Sequence, residues 1–95
     1  MTTEEGALKT AIRKYLSKQG VYWVSVQAGP GAKPGDPDII MCLNGRFIGI
    51  EAKARRGAQS PIQAAREKEI IASGGEYHII RDIENIKELI KRDKE

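Results

Sequence analysis

Ninety-five residues give room for one small domain, residues 1–95, and no apolar run approaches the roughly 18 residues needed to cross a bilayer. With 40% hydrophobic and 31% charged residues the chain reads as a soluble fold, and its net charge of +3 permits nucleic-acid binding without specifying it. A single cysteine, Cys42, and a single histidine, His78, exclude an internal disulfide and the ligand spacings of a zinc site.

The opening "MTTEEGALKTAIRKYL" has acids where a secretory signal would be basic, so a cytoplasmic location is expected. Leu8, Ala11, Ile12, Tyr15 and Leu16 recur at helical spacing, with Thr2 as a candidate cap and Gly20 as a stop. "VYWVSVQ", Val21 to Gln27, is rich in β-branched and aromatic residues and predicts a strand; Tyr22 and Trp23 alternate with valines and read as core or interface residues. The following "AGPGAKPGDP" is a loop that lacks the Gly-Lys-Ser/Thr ending of a nucleotide-binding turn and precedes no helix, so no nucleotide cofactor is expected.

Two apolar runs then flank Asn44-Gly45, the pair that most strongly signals a two-residue hairpin. Alternation along the first run is apolar on both faces, which predicts a central strand covered on both sides with Cys42 as a small core residue. Gly49 stands opposite Ile40 and lets a neighbouring element approach. Further on, Ser60 caps and Pro61 starts a second helix that Gly74 ends. "EYHIIR" predicts a fourth strand in which His78 reads as a packed or surface residue. Asp82 caps a last helix with Ile83, Ile86, Leu89 and Ile90 on one stripe. The order αβββαβα, with a crossover helix between strands three and four, predicts an α/β fold: a mixed four-stranded sheet flanked by helices.

Hairpin register identifies the chemistry. If Asn44 and Gly45 form the turn, Leu43 faces Arg46 and opposed residues have numbers summing to 89, which sets Asp38 against Glu51. Like charges directly opposed are destabilising, and Lys53, two residues past Glu51, shares their face. Two carboxylates without an intervening arginine suit Mg²⁺, with the lysine placed to orient a water or offset charge on a phosphoryl oxygen. The competing readings are a turn residue for Asp38 and a solvated ion pair for Glu51 and Lys53.

Pro37-Asp38, followed after twelve residues by "EAK" at Glu51-Ala52-Lys53, resembles the signature of the PD-(D/E)XK nucleases, with their restriction-endonuclease-like core. Gly35 in "GDPD", Gln63 in "SPIQ" and the element order are similar to the virus-type replication-repair nuclease branch, VRR-Nuc, in its stand-alone, phage-type form. The resemblance implies a metal-dependent endodeoxyribonuclease. Asp38, Glu51 and the Ala52 carbonyl would hold Mg²⁺ or Mn²⁺, Lys53 would activate the attacking water, and Gln63 would support the site. Glu5 would reach it from the first helix, with Glu4 as the neighbouring alternative. It further implies a homodimer acting on branched DNA such as four-way junctions, in the host cytoplasm if phage-encoded. The alternative is an inactive nuclease-fold module that binds nucleic acid. Thr2–Glu5 and Ser60–Gln63 each also have the spacing of a helix capping box. Among the basic residues Lys33, Arg46, Arg55, Arg56 and Arg66, candidate DNA-backbone contacts are Lys33, Arg55, Arg56 and Arg66.

Overall fold

A computed structural model describes residues 3–26 and 30–94 of the chain. Helix α1, Glu4–Lys18, begins at Thr3, whose hydroxyl accepts the Gly6 N–H at 2.9 Å, so the cap lies one residue after the Thr2 expected from the sequence. Thr2 itself, like Gln27 at the expected end of the first strand, lies outside the described residues. The shifted cap has a consequence: the third helical position is Gly6, and the Thr2–Glu5 box does not claim the Glu5 side chain.

Strand β1, Tyr22–Ser25, runs antiparallel to β2, Ile39–Leu43, which turns at Asn44-Gly45 into β3, Arg46–Ala52. Both turn residues have positive φ, 50° and 80°, as a type I′ hairpin requires. Every β2–β3 pair from Leu43↔Arg46 to Ile39↔Ile50 has the expected register. Helix α2, Pro61–Ala72, carries the chain over to β4, Glu76–Ile80, which pairs parallel with β3; α3, Ile83–Lys94, follows, its first turn capped by Asp82 Oδ1 accepting the Asn85 N–H at 3.0 Å. The sheet order is β1-β2-β3-β4.

Pleating divides the sheet into unequal faces. Ile39, Met41, Leu43, Ile48, Ile50, Ala52 and Ile80 point to one side and bury themselves against Ile12 and Leu16 of α1 and Ile86, Leu89 and Ile90 of α3. This is the hydrophobic core, and the stripes read from the sequence of both helices supply it. The opposite face carries Phe47, Gly49 and Glu51, and the one helix over it is α2, which has no fully buried residue and packs over β4. Consequently β2 is not covered on both sides: Cys42 is exposed rather than a core residue, because the twelve-residue α2 does not extend over the β1 side. Tyr22, at 74% exposure, also lies outside the core, while Trp23 is half-buried with its indole N–H donated to Ser17 Oγ.

Glycines permit the close approaches on this thinner side. A Cβ on Gly49 would lie 2.9 Å from Pro37 Cγ, so Pro37 seats directly on the strand beside the residue it precedes, Asp38. At Gly35, φ is +84° and a Cβ would lie 2.7 Å from the Ile62 carbonyl oxygen. The loop before β2 is thus pressed against the first turn of α2. Gly35→Ala is expected to cost about 2–5 kcal/mol, combining a left-handed backbone penalty of ~1–2 with overpacking of ~1–3. Gly45→Ala, where φ is +80° but nothing obstructs a Cβ, should cost only about 1–2 kcal/mol. Urea unfolding of the two variants checks this; equal losses would mean that the loop–helix contact carries no energy.

Candidate metal centre

At the open end of the hairpin the ladder brings the ends of β2 and β3 together, and α1 crosses beside them. One carboxylate oxygen from each of Glu5, Asp38 and Glu51 lies within 4.8 Å of the other two. Asp38 is held by the backbone: its Oδ2 accepts the Ala52 N–H at 2.8 Å, and its own carbonyl accepts the Val26 N–H at 2.9 Å. Glu51 is 2% exposed, with its Oε1 buried and lacking a hydrogen-bond partner among the described residues. Burial pushes the Glu51 carboxyl up from 4.5 to about 8, reinforced by its hydrogen bond with Asp38, by the Asp38 charge and by Glu5, while the Lys53 ammonium pulls it back down. An unpartnered buried carboxylate oxygen amid two further carboxylates is a donor set that fits a hard divalent cation.

The two acids at the start of α1 separate in space. Glu5 joins the cluster, whereas Glu4 Oε1 accepts the Arg55 N–H at 2.8 Å and holds the loop after β3. Lys53 is half-buried and its backbone N–H donates to the Ile80 carbonyl, which extends the parallel ladder past Ala52. Ala52 is fully buried. Gln63 completes a capping box with Ser60: its Oε1 accepts the Ser60 N–H at 2.9 Å and its N–H donates to Ser60 Oγ at 3.2 Å. That leaves only its Nε2 for any part in the site.

Of the basic residues, Lys33, Arg55 and Arg56 are exposed. Arg66 is not a free cation, since it is paired with Glu69 at 3.0 Å and Asp36 at 3.8 Å. Arg46 is paired with Glu76 and Asp93 at the opposite end of β3 from the acids.

Two residues near the acids had not been singled out from the sequence. Lys9 places its ammonium 3.3 Å from Asp38 Oδ1 and 3.9 Å from Glu5 Oε1; the signal was the four-residue spacing from Glu5, which stacks both on one helical face. Arg81 donates from Nη1 to the carbonyls of Ala54, Arg55 and Gly57, at 3.1, 3.4 and 2.5 Å, and so pins the loop that carries Arg55 and Arg56. Only the parallel β3–β4 register, which brings Ile80 beside Ala52, locates that arginine.

No family profile matches this sequence, and no curated protein matches it. Solved structures do. One described as "VRR_NUC domain" superposes with a TM-score of 0.79 at 18% identity, covering 95% of this chain and 97% of its own. Another, "VRR_NUC domain protein", gives 0.79 at 19% identity over 97% of this chain and 88% of its own. The chain has the VRR-Nuc fold: a mixed four-stranded sheet flanked by three helices.

The raised Glu51 pKa has a signed consequence for stability. Between 4.5 and about 8 the folded chain keeps a proton that the unfolded chain has released, so stability without metal should fall as pH rises through that window. Denaturant midpoints measured in a chelator should decline from about pH 5 to about pH 8, and Glu51→Gln should remove most of the slope. A wild-type midpoint that is flat or rises would contradict the buried, acid-crowded environment of Glu51.

Proposed function

We propose that this chain is a metal-dependent DNA endonuclease that hydrolyses phosphodiester bonds, selects branched DNA such as four-way junctions, and works as a homodimer. The observation that carries this reading is the convergence of the Glu5, Asp38 and Glu51 carboxylates, beside Lys53, on a VRR-Nuc fold.

Asp38, Glu51 and Glu5, with the Ala52 carbonyl, would hold Mg²⁺ or Mn²⁺. When bound, such an ion lowers the pKa of a coordinated water and neutralises charge on a phosphoryl oxygen. The protein's own contribution is preorganisation. Asp38 is anchored through Oδ2 to the Ala52 N–H, which leaves Oδ1 directed at the cluster. Glu51 is shielded from water, so its charge is expressed only against a cation. Lys53 orients the attacking water and offsets negative charge as the phosphorane forms. Gln63 supports the arrangement from the first turn of α2.

Lys33, Arg55 and Arg56 would contact backbone phosphates and position the DNA without reading bases. Arg55 and Arg56 are presented by a loop tied at Arg55 N–H to Glu4 and at three carbonyls to Arg81, which reduces the ordering cost of binding. Arg66, paired with Glu69 and Asp36, would reach a phosphate by exchanging one of these carboxylates for it. Pairing of two chains is supported by the uncovered part of the sheet. Tyr22, Cys42 and Phe47 lie side by side across β1, β2 and β3, all exposed. Two paired sites would serve two strands. A cytoplasmic setting is supported by the free, exposed Cys42.

Cleavage of supercoiled, flapped and four-way DNA with Mg²⁺ or Mn²⁺ tests the reading and separates it from an inactive binding module. Lys53→Ala and Asp38→Asn should each retain DNA binding while losing about 100-fold or more in rate, as expected for removal of a water-orienting group or a metal ligand. Wild-type rates in either variant, or a wild-type chain that binds DNA without cutting it, would overturn the proposal.

A further inference from the structure

We infer that Lys9 is an internal counter-cation: its ammonium neutralises the acidic cluster of the metal-free chain and must be displaced by the divalent ion, so Lys9 sets the affinity of the site. This rests on the reading of Glu5, Asp38 and Glu51 as a metal centre.

Asp38 has two carboxylate oxygens, and the fold has already assigned one. Oδ2 accepts the Ala52 N–H, leaving Oδ1 as the oxygen available to a ligand, and Oδ1 is the atom that Lys9 Nζ approaches at 3.3 Å. The same ammonium lies 3.9 Å from Glu5 Oε1. Lys9 therefore faces two of the three acids that a cation would use. A Mg²⁺ ion needs its oxygen ligands at about 2.0–2.1 Å, and an ammonium on the same oxygens repels it.

The side chain is suited to leaving. A lysine ammonium is a compact charge on a flexible four-carbon stem and lacks the forked grip of arginine. With 29% of its side chain exposed, Lys9 has a route to solvent. Its backbone, in contrast, is fixed within α1, one turn beyond Glu5. Metal entry is thus an exchange of cations: a divalent ion enters, and a tethered monovalent charge swings outward to solvent.

Mn²⁺ titration of the 95-residue chain by calorimetry and electron paramagnetic resonance tests the exchange without DNA or turnover. Lys9→Met should bind Mn²⁺ about tenfold more tightly than wild type and unfold at lower denaturant in a chelator, with the two chains converging at saturating Mn²⁺. Lys14→Met, which removes an exposed charge about half a turn around α1 from Glu5, should leave affinity unchanged. In the wild-type chain, acylation of Lys9 followed by mass spectrometry should accelerate several-fold on saturation with Ca²⁺, with Lys14 in the same digest as reference; this arm needs no folded variant. Unchanged affinity in Lys9→Met, an equal gain in Lys14→Met, or Lys9 reactivity that ignores bound metal would overturn the exchange while leaving the metal centre intact. Absence of Mn²⁺ uptake by both wild type and Lys9→Met would overturn the metal centre and the exchange with it.

Discussion

The carboxylates of Asp38, just before β2, and Glu51, on β3, are brought together, and the backbone holds Asp38 there. The Asn44-Gly45 turn fixes the ladder, the ladder fixes which residues oppose, and the Ala52 N–H fixes the rotation of Asp38. Glu51 cannot relieve the conflict by turning to water, because it is 2% exposed. The remaining ways out are a proton, an ammonium or a metal ion. The environment of Glu51 shows the first, Lys9 supplies the second, and the proposed chemistry uses the third. A buried group whose charge is unfavourable until a cation arrives is stabilised in use at the expense of stability at rest, a common trade at functional sites.

The rest of the molecule is arranged to tolerate this. Apolar packing is concentrated on the α1/α3 side of the sheet, where Ile12, Leu16, Ile39, Met41, Ile48, Ile50, Ile86 and Ile90 are nearly or fully inaccessible. Asp38 and Glu51 emerge on the other side, where α2 buries little and Gly49 and Gly35 let Pro37 and the preceding loop sit against strand and helix. The same economy leaves Tyr22, Cys42 and Phe47 in the open, and so the thin face serves both the proposed site and the proposed partner contact.

Legibility in the sequence followed the range of the interaction. Hairpin register was readable because a two-residue turn leaves no freedom of alignment, and helix stripes were readable because periodicity is local; Asp38, Glu51 and the core of α1 and α3 fell out of those two facts. Glu4 and Glu5 stand as alternatives in the sequence because both lie in the first turn of α1, and the contact that separates them, Glu4 Oε1 accepting the Arg55 N–H, joins residues distant in sequence. Cys42 was misplaced because alternation reports an apolar position, whereas its exposure depends on how far α2 extends. The pairing of Arg66 with Asp36 is not legible, because no local pattern fixes the path of the loop that supplies Asp36. Lys9 is signalled locally only by its four-residue spacing from Glu5, whereas its approach to Asp38 and the carbonyls that Arg81 reaches join elements distant in sequence, which no local pattern encodes.

The central claim is that a divalent ion sits where Asp38, Glu51 and Glu5 meet. Diffraction from crystals soaked in Mn²⁺, collected at the manganese absorption edge, addresses it most directly. The account predicts one anomalous peak per chain within bonding distance of Asp38 Oδ1 and a Glu51 oxygen, with the Lys9 ammonium withdrawn. A map with no peak at that cluster, or with the three carboxylates diverging around bulk solvent, would contradict it.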